Sequence, residues 1–180
     1  EAGRGALTSG ADGTVAIGNV ALGALTSGQR NVAIGNASGT ALTTGERNVF
    51  IGHDSGLTTQ AVSNSIIIGN YAGASAMTSD ADGSIGIGRQ ALTSLTSGAG
   101  NIAVGFEGGK DITTGSNNTV LGYQAGQNIL GGSNNIAIGT ASGETMTGVS
   151  STVLVGKQAG QSINNADALG TVAVGHQALK

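Results

Sequence analysis

The sequence predicts an all-β chain folded as a parallel β-solenoid, a β-roll of ten turns of 17–19 residues each. Three observations carry this. A short aliphatic run closed by glycine recurs ten times at near-constant spacing. None of the 17 charged residues falls in those five-residue runs, although about five would by chance. A column three residues after each closing glycine never exceeds serine in size. Self-similarity at a fixed short period is the mark of stacked supersecondary units.

The closing glycines are Gly18, Gly35, Gly52, Gly69, Gly88, Gly105, Gly122, Gly139, Gly156 and Gly175, separated by 17, 17, 17, 19, 17, 17, 17, 17 and 19 residues. They define one repeat domain over residues 1–180. Both 19-residue turns carry their two extra residues shortly before the next run, at Asp80–Gly83 and Ala166–Gly170, where a surface loop can lengthen.

Each column of a turn has a physical reading. The residue before the anchor is always Ile, Val or Leu, as in Ile17, Ile34, Ile51, Ile68, Val104, Ile138 and Val174. The residue three before it is Val or Ile in every turn except at Thr119. Side chains on a strand alternate with period two, so these two columns share a face, expected to be the inner one. The column between them is expected to face out, yet it reads Ala16, Ala33, Phe50, Ile67, Gly86, Ala103, Val120, Ala137, Leu154 and Ala173. A strand apolar on both faces is buried on both, so one face must meet something beyond its own turn. Seven residues after the anchor a larger apolar side chain recurs (Leu25, Leu42, Leu95, Ile112, Ile129, Met146 and Ile163, with Met77 one place later), and it should fill the interior opposite the strands. Four residues before the anchor stands only Asn, Ser or Thr, suited to bonding backbone at a corner. A 17-residue turn has room for two short strands and two corners. So thin a roll buries little area alone, which argues for self-association about a symmetry axis.

Composition excludes other classes. Leu, Ile, Val and Phe make 40 of 180 residues with net charge −3, too apolar and too weakly charged for disorder. With 34 glycines and no proline or Gly-x-y period it is not collagen. No cysteine means no disulfide scaffold and no thiolate metal site. No apolar run approaches a membrane span, no signal peptide is recognisable, and the chain beginning at Glu1 reads as processed or excised.

The phrase Asn-Val-Ala-Ile-Gly at Asn31–Gly35, followed by a small residue three places on, resembles the head repeats of trimeric autotransporter adhesins. The longer unit Gly-Ser-Asn-Asn-Thr-Val-Leu-Gly-Tyr-Gln-Ala-Gly at Gly115–Gly126 is similar to repeats of phage and virus tail fibres. The resemblance runs from about Ala6 to Leu179. It implies a left-handed parallel β-roll, a homotrimer, and attachment to a host or surface. The repeat is longer than the usual adhesin-head unit, and no stalk, anchor or chaperone domain is recognisable.

Chemistry-bearing residues are few, and each has a plainer reading. His53 and His176 lie seven turns apart and read as surface histidines. Gly86-Ile-Gly88-Arg-Gln-Ala91 loosely fits a dinucleotide-binding turn, but that fingerprint needs a βαβ unit. Asp12-Gly13 and Asp80-Ala-Asp82-Gly83 offer too few oxygens to specify calcium. Asn36-Ala-Ser38 and Asn117-Asn118-Thr119 match a glycosylation sequon, as chance allows in so Asn-, Ser- and Thr-rich a chain. Phe50, Phe106, Tyr71 and Tyr123 would make a carbohydrate platform only if they met on the surface. Thr26, Thr43, Thr78, Thr96, Thr113 and Thr147 form a ladder of the kind that binds ice, broken at Gln60, Leu130 and Asn164.

The expected function is therefore mechanical: a rod or receptor-binding segment of a trimeric tail fibre, on a virion, meeting a carbohydrate or protein receptor. A cell-surface adhesin head is the alternative and an ice-binding solenoid the second. No enzyme activity, cofactor, metal site, nucleic-acid partner or membrane insertion is expected. Assembly is expected to rest on Ala16, Ile17, Ala33, Ile34, Phe50, Ile51, Ile67, Ile68, Ala103, Val104, Ala137, Ile138, Ala173 and Val174.

Overall fold

The computed structural model describes residues 11–164 and 168–180. Within them the chain forms ten three-residue strands: β1 (Val15–Ile17), β2 (Val32–Ile34), β3 (Val49–Ile51), β4 (Ile66–Ile68), β5 (Ile85–Ile87), β6 (Ile102–Val104), β7 (Thr119–Leu121), β8 (Ile136–Ile138), β9 (Val153–Val155) and β10 (Val172–Val174). They pair in chain order into one parallel sheet. Like columns align, as in Ala33 with Phe50 and Ile34 with Ile51. The fold is a β-solenoid, with nine full turns between the first strand and the last. Each turn contains one strand where two were expected; the remainder is turn and bend, with a 3-10 turn at Ser79–Ala81. No α-helix occurs among the described residues, so the Gly86–Ala91 segment has no βαβ setting.

The burial of the strands reverses the expected facing. The middle column points inward: Ala33, Phe50, Ile67, Ala103, Val120, Ala137 and Leu154 are fully buried, Ala173 nearly so, and Ala16 partly. The columns on either side of it point outward. Ile51, Ile68, Val104 and Ile138 are partly exposed, and Ile17, Ile34 and Val174 more so. The middle column, which ranges from Gly86 to Phe50, meets the opposite wall directly behind it. That wall is the expected one: Leu25, Leu42, Met77, Leu95, Ile112, Ile129 and Met146 are fully buried.

A further column completes the core. Four residues after the anchor the backbone is left-handed, with glycine in most turns, yet Leu22 (φ 49°) and Leu92 (φ 51°) occupy it and are fully buried. Both stand in turns whose inward strand residue is small, Ala16 and Gly86. Where that residue is large the position is glycine: a Cβ at Gly56 would lie 2.8 Å from the Phe50 ring. Where both positions are small, as at Ala33 with Gly39 and Ala137 with Gly143, the space beside the glycine is taken by Phe50 or Leu154 of the next turn. Interior volume is thus shared between columns and between neighbouring turns, as close packing requires.

The corners are built from left-handed backbone. All ten anchors have φ between 124° and 142°, a region reserved to glycine. A Cβ at Gly52 would also sit 2.7 Å from the carbonyl oxygen of Gly69 in the next turn. Two residues beyond each anchor the φ is again positive, 50–59°, with Val20, Ala37, Asp54 and Tyr71 among the occupants. Such residues are strained unless the surroundings hold them. Here the stack does so: the Ala37 N–H donates to Asn19 O at 2.9 Å and the Asp54 N–H to Asn36 O at 3.0 Å.

From Asn31 to Thr152 the polar column before the strands is fully buried and bonds across turns, while Thr14 Oγ1 at its start has no hydrogen-bond partner among the described residues. Asn118 Oδ1 accepts from the backbone N–H and the side-chain Nδ2 of Asn135, both at 3.0 Å. Asn118 Nδ2 in turn donates to Gly132 O at 2.9 Å. Two such ladders, Asn31–Asn48 and Asn101–Asn118–Asn135, are joined through Ser65 and Ser84. Hydrogen bonds this complete offset the cost of taking the amides out of water.

Candidate functional site

The dominant surface feature is the outward face of the sheet. Ten strands offer two outward positions each, and nineteen of these twenty hold Val, Ile or Leu, with Thr119 the exception. Nine steps of ~4.8 Å make the stripe ~43 Å long. Ile17 is 57% exposed and Ile34 37%. Continuous apolar surface on this scale marks an interaction site rather than scattered hydrophobes.

Every charge near the stripe lies on its two edges, sorted by column. On the edge before the strands, six residues ahead of the anchor, stand Asp12, Glu46 and Asp82 and no cation; one place on, the charged residues are Arg30 and Arg47. On the edge after the strands, directly following the anchor, stand His53, Arg89, Lys157 and His176 and no anion; one place on, they are Asp54 and Glu107. Neighbouring columns pair within the chain at Arg47–Glu46 (3.4 Å) and His53–Asp54 (2.8 Å).

The four aromatic rings do not form one platform. Phe50 is core. Phe106 and Tyr123 stack at 5.1 Å with an interplanar angle of 7°, and the Arg89 guanidinium lies 5.3 Å from the Phe106 centroid. Tyr71 stands apart, 6.0 Å from the His53 ring. Its hydroxyl bonds the Asp54 carboxylate, and this bond together with the nearby negative charge raises the Tyr71 pKa. His53 and His176 are both exposed, as surface residues should be.

The remaining candidates are absorbed by turn chemistry. Asp82 Oδ1 accepts the Ser63 N–H at 2.7 Å, and the Asp80 N–H is taken by Thr78 Oγ1 at 3.3 Å. In the second insertion, Ala166 and Asp167 lie outside the described residues. Ser38 of the first sequon is buried, its hydroxyl donating to Phe50 O at 2.9 Å. In the threonine ladder Thr26, Thr43 and Thr96 donate to the carbonyl of the following turn at 3.0 Å. Among the described residues there is no cavity, no group of three His, Asp or Glu placed for a metal ion, and no helix long and apolar enough to cross a membrane.

No protein-family model, curated protein or solved structure matches this chain. The functional reading therefore rests on the stripe, its edges and the repeat. The outward position of the stripe and the sorting of charge along its edges were not read from the sequence. Period two separates the faces of a strand without saying which is inner, and the edge columns have meaning only once the strands are stacked.

Proposed function

We propose that the chain is a left-handed β-roll that trimerises through its outward stripe. It would serve as a rod or receptor-binding segment of a tail-fibre-like attachment protein, on a virion or cell surface. The observation that supports this best is the ten-rung apolar stripe, interrupted at Thr119. Three such stripes facing a common axis bury one another, as closed symmetry requires. The role is mechanical rather than catalytic: stacked backbone ladders give stiffness, and three copies of each outer surface raise avidity for a carbohydrate or protein receptor through effective concentration. The resemblance of the repeat to tail-fibre sequences favours a fibre over an adhesin head.

Absolute mass by light scattering tests the reading. A trimer of 17.3 kDa chains has a mass of about 52 kDa. Ile34→Glu combined with Ile138→Glu places charge on the stripe without touching the interior. It should give a folded species of single-chain mass, since a charge buried at the axis has no partner. A wild-type chain of single-chain mass at all concentrations sinks the proposal, as does a double variant that stays trimeric.

A further inference from the structure

In two turns the edges of the stripe carry opposite character. Asp82 and Arg89 flank strand β5, and Glu46 and His53 flank β3, each pair seven residues apart with the acid before the strand and the base after it. Glu46 and His53 also have neighbours of opposite charge in their own chain, Arg47 and Asp54, whereas Asp82 and Arg89 have none among the described residues. In the next turn the small Ala99 stands across the stripe from Phe106.

Within one chain the members of a pair cannot meet. A three-residue strand spans ~6.6 Å between its ends, and the flanking corners lie beyond it. Asp82 makes its bond to Ser63, Arg89 lies by Phe106, and among the described residues no ion pair joins the two. A reason for matching them must be sought in a second copy. In a ring of three chains every interface is heterologous: the leading edge of one chain abuts the trailing edge of the next.

We propose that the occupant of each edge is the opposite edge of a second copy at the same level, so that Asp82 of one chain faces Arg89 of its neighbour. This deepens the trimer reading and rests on it. The apolar stripe supplies affinity but no register, because every rung offers nearly the same Val/Ile pair and sliding by one turn costs little contact. The edges differ from rung to rung. A slip by one turn would set Asp82 against Asn70 or Phe106 and Arg89 against Ser63 or Ala99, losing the charge match. Charged rims of interfaces fix register in this way.

A charge-swap cycle read by the dilution at which the assembly dissociates tests the seam. Arg89→Glu and Asp82→Lys, each alone, should raise the dissociation midpoint at least tenfold, the change being repeated three times per ring. Together in one chain they should restore it to within threefold. Asp82→Asn keeps an oxygen for the Ser63 N–H and should still weaken assembly. Trimers indifferent to either single reversal, a double variant as weak as the singles, or an Asp82→Asn variant equal to wild type would overturn the seam while leaving the trimer standing. A wild-type chain monomeric throughout would instead remove the trimer reading itself, and the seam with it.

Discussion

Phe50 is the largest fully buried side chain in the chain, and its replacement by alanine gives the sharpest test of how the interior is filled. Its ring is wedged between glycines: Cβ atoms built on Gly39 and Gly56 would each come within 2.8 Å of it. Removing it leaves a cavity whose backbone walls are held by ladders above and below, so collapse is limited. The expected cost is ~3–5 kcal/mol, which for a chain of this size lowers the melting temperature by roughly 6–20 °C. The informative variant is the rescue. In the turns anchored at Gly18 and Gly88 a small inward residue, Ala16 or Gly86, is accompanied by a buried Leu22 or Leu92 in left-handed backbone. A Cβ at Gly86 would lie 3.3 Å from the Leu92 side chain, so the two positions compete for one space. Phe50→Ala with Gly56→Leu copies that arrangement. The leucine fills the cavity at a conformational cost of ~1–2 kcal/mol for its positive φ, and the pair should recover ~1–3 kcal/mol of the loss. Thermal unfolding followed by circular dichroism, with the intact mass checked, reads both numbers. A double variant no more stable than Phe50→Ala would refute the volume exchange.

Other outcomes follow from the same geometry. Gly52→Ala should destabilise by ~3 kcal/mol or more, because strain in φ adds to the clash with Gly69 O; Gly175→Ala, with the same φ but open space, should cost ~1–2 kcal/mol less in urea unfolding. Asn118→Asp should destabilise most at neutral pH, since a carboxylate cannot donate to Gly132 O and is buried there. Its folded-state pKa is thereby raised, so the penalty is present above the ordinary carboxyl range and fades as pH falls through it, which unfolding at neutral and acid pH compares. Ultraviolet titration should find Tyr71 ionising above the usual phenol range, and Asp54→Asn should bring it down. Ala137→Glu should unfold the roll rather than merely dissociate it, because Ala137 lies inside the single chain, and far-ultraviolet circular dichroism separates the two outcomes.

Much of the fold is legible in the repeat because a solenoid converts one-dimensional periodicity directly into contacts. The glycine at each anchor, the parallel register of Ala33 on Phe50, and the wall of Leu25, Leu42 and Ile112 follow from spacing alone. What is not legible is anything that depends on the sign of a curvature. Alternation separates Ile34 from Ala33 without saying which is inside, and the column expected to face out, from Gly86 to Phe50, is the one that lies inside. The corners hide for a different reason. Ala37, Tyr71 and Gln90 bear no turn signature, because their left-handed backbone is imposed by N–H groups bonded to the preceding turn rather than by their own preferences.

The same dependence on neighbours bears on function. Each turn satisfies its backbone through the turns before and after it, so interior identity varies while space is shared between columns and neighbouring turns, as Phe50 with Gly39 and Gly56, or Gly86 with Leu92, show. The outward columns have no such freedom to compensate within the chain, yet they stay Val, Ile or Leu in nineteen of twenty positions. A surface that water alone faced would not hold that composition through ten rungs while all 17 charged residues stayed out of the five-residue runs. Stability of one chain accounts for the inward column. On the proposed reading a second and third copy of this chain cover the outward pair, which is why oligomeric mass is the measurement on which the functional reading turns.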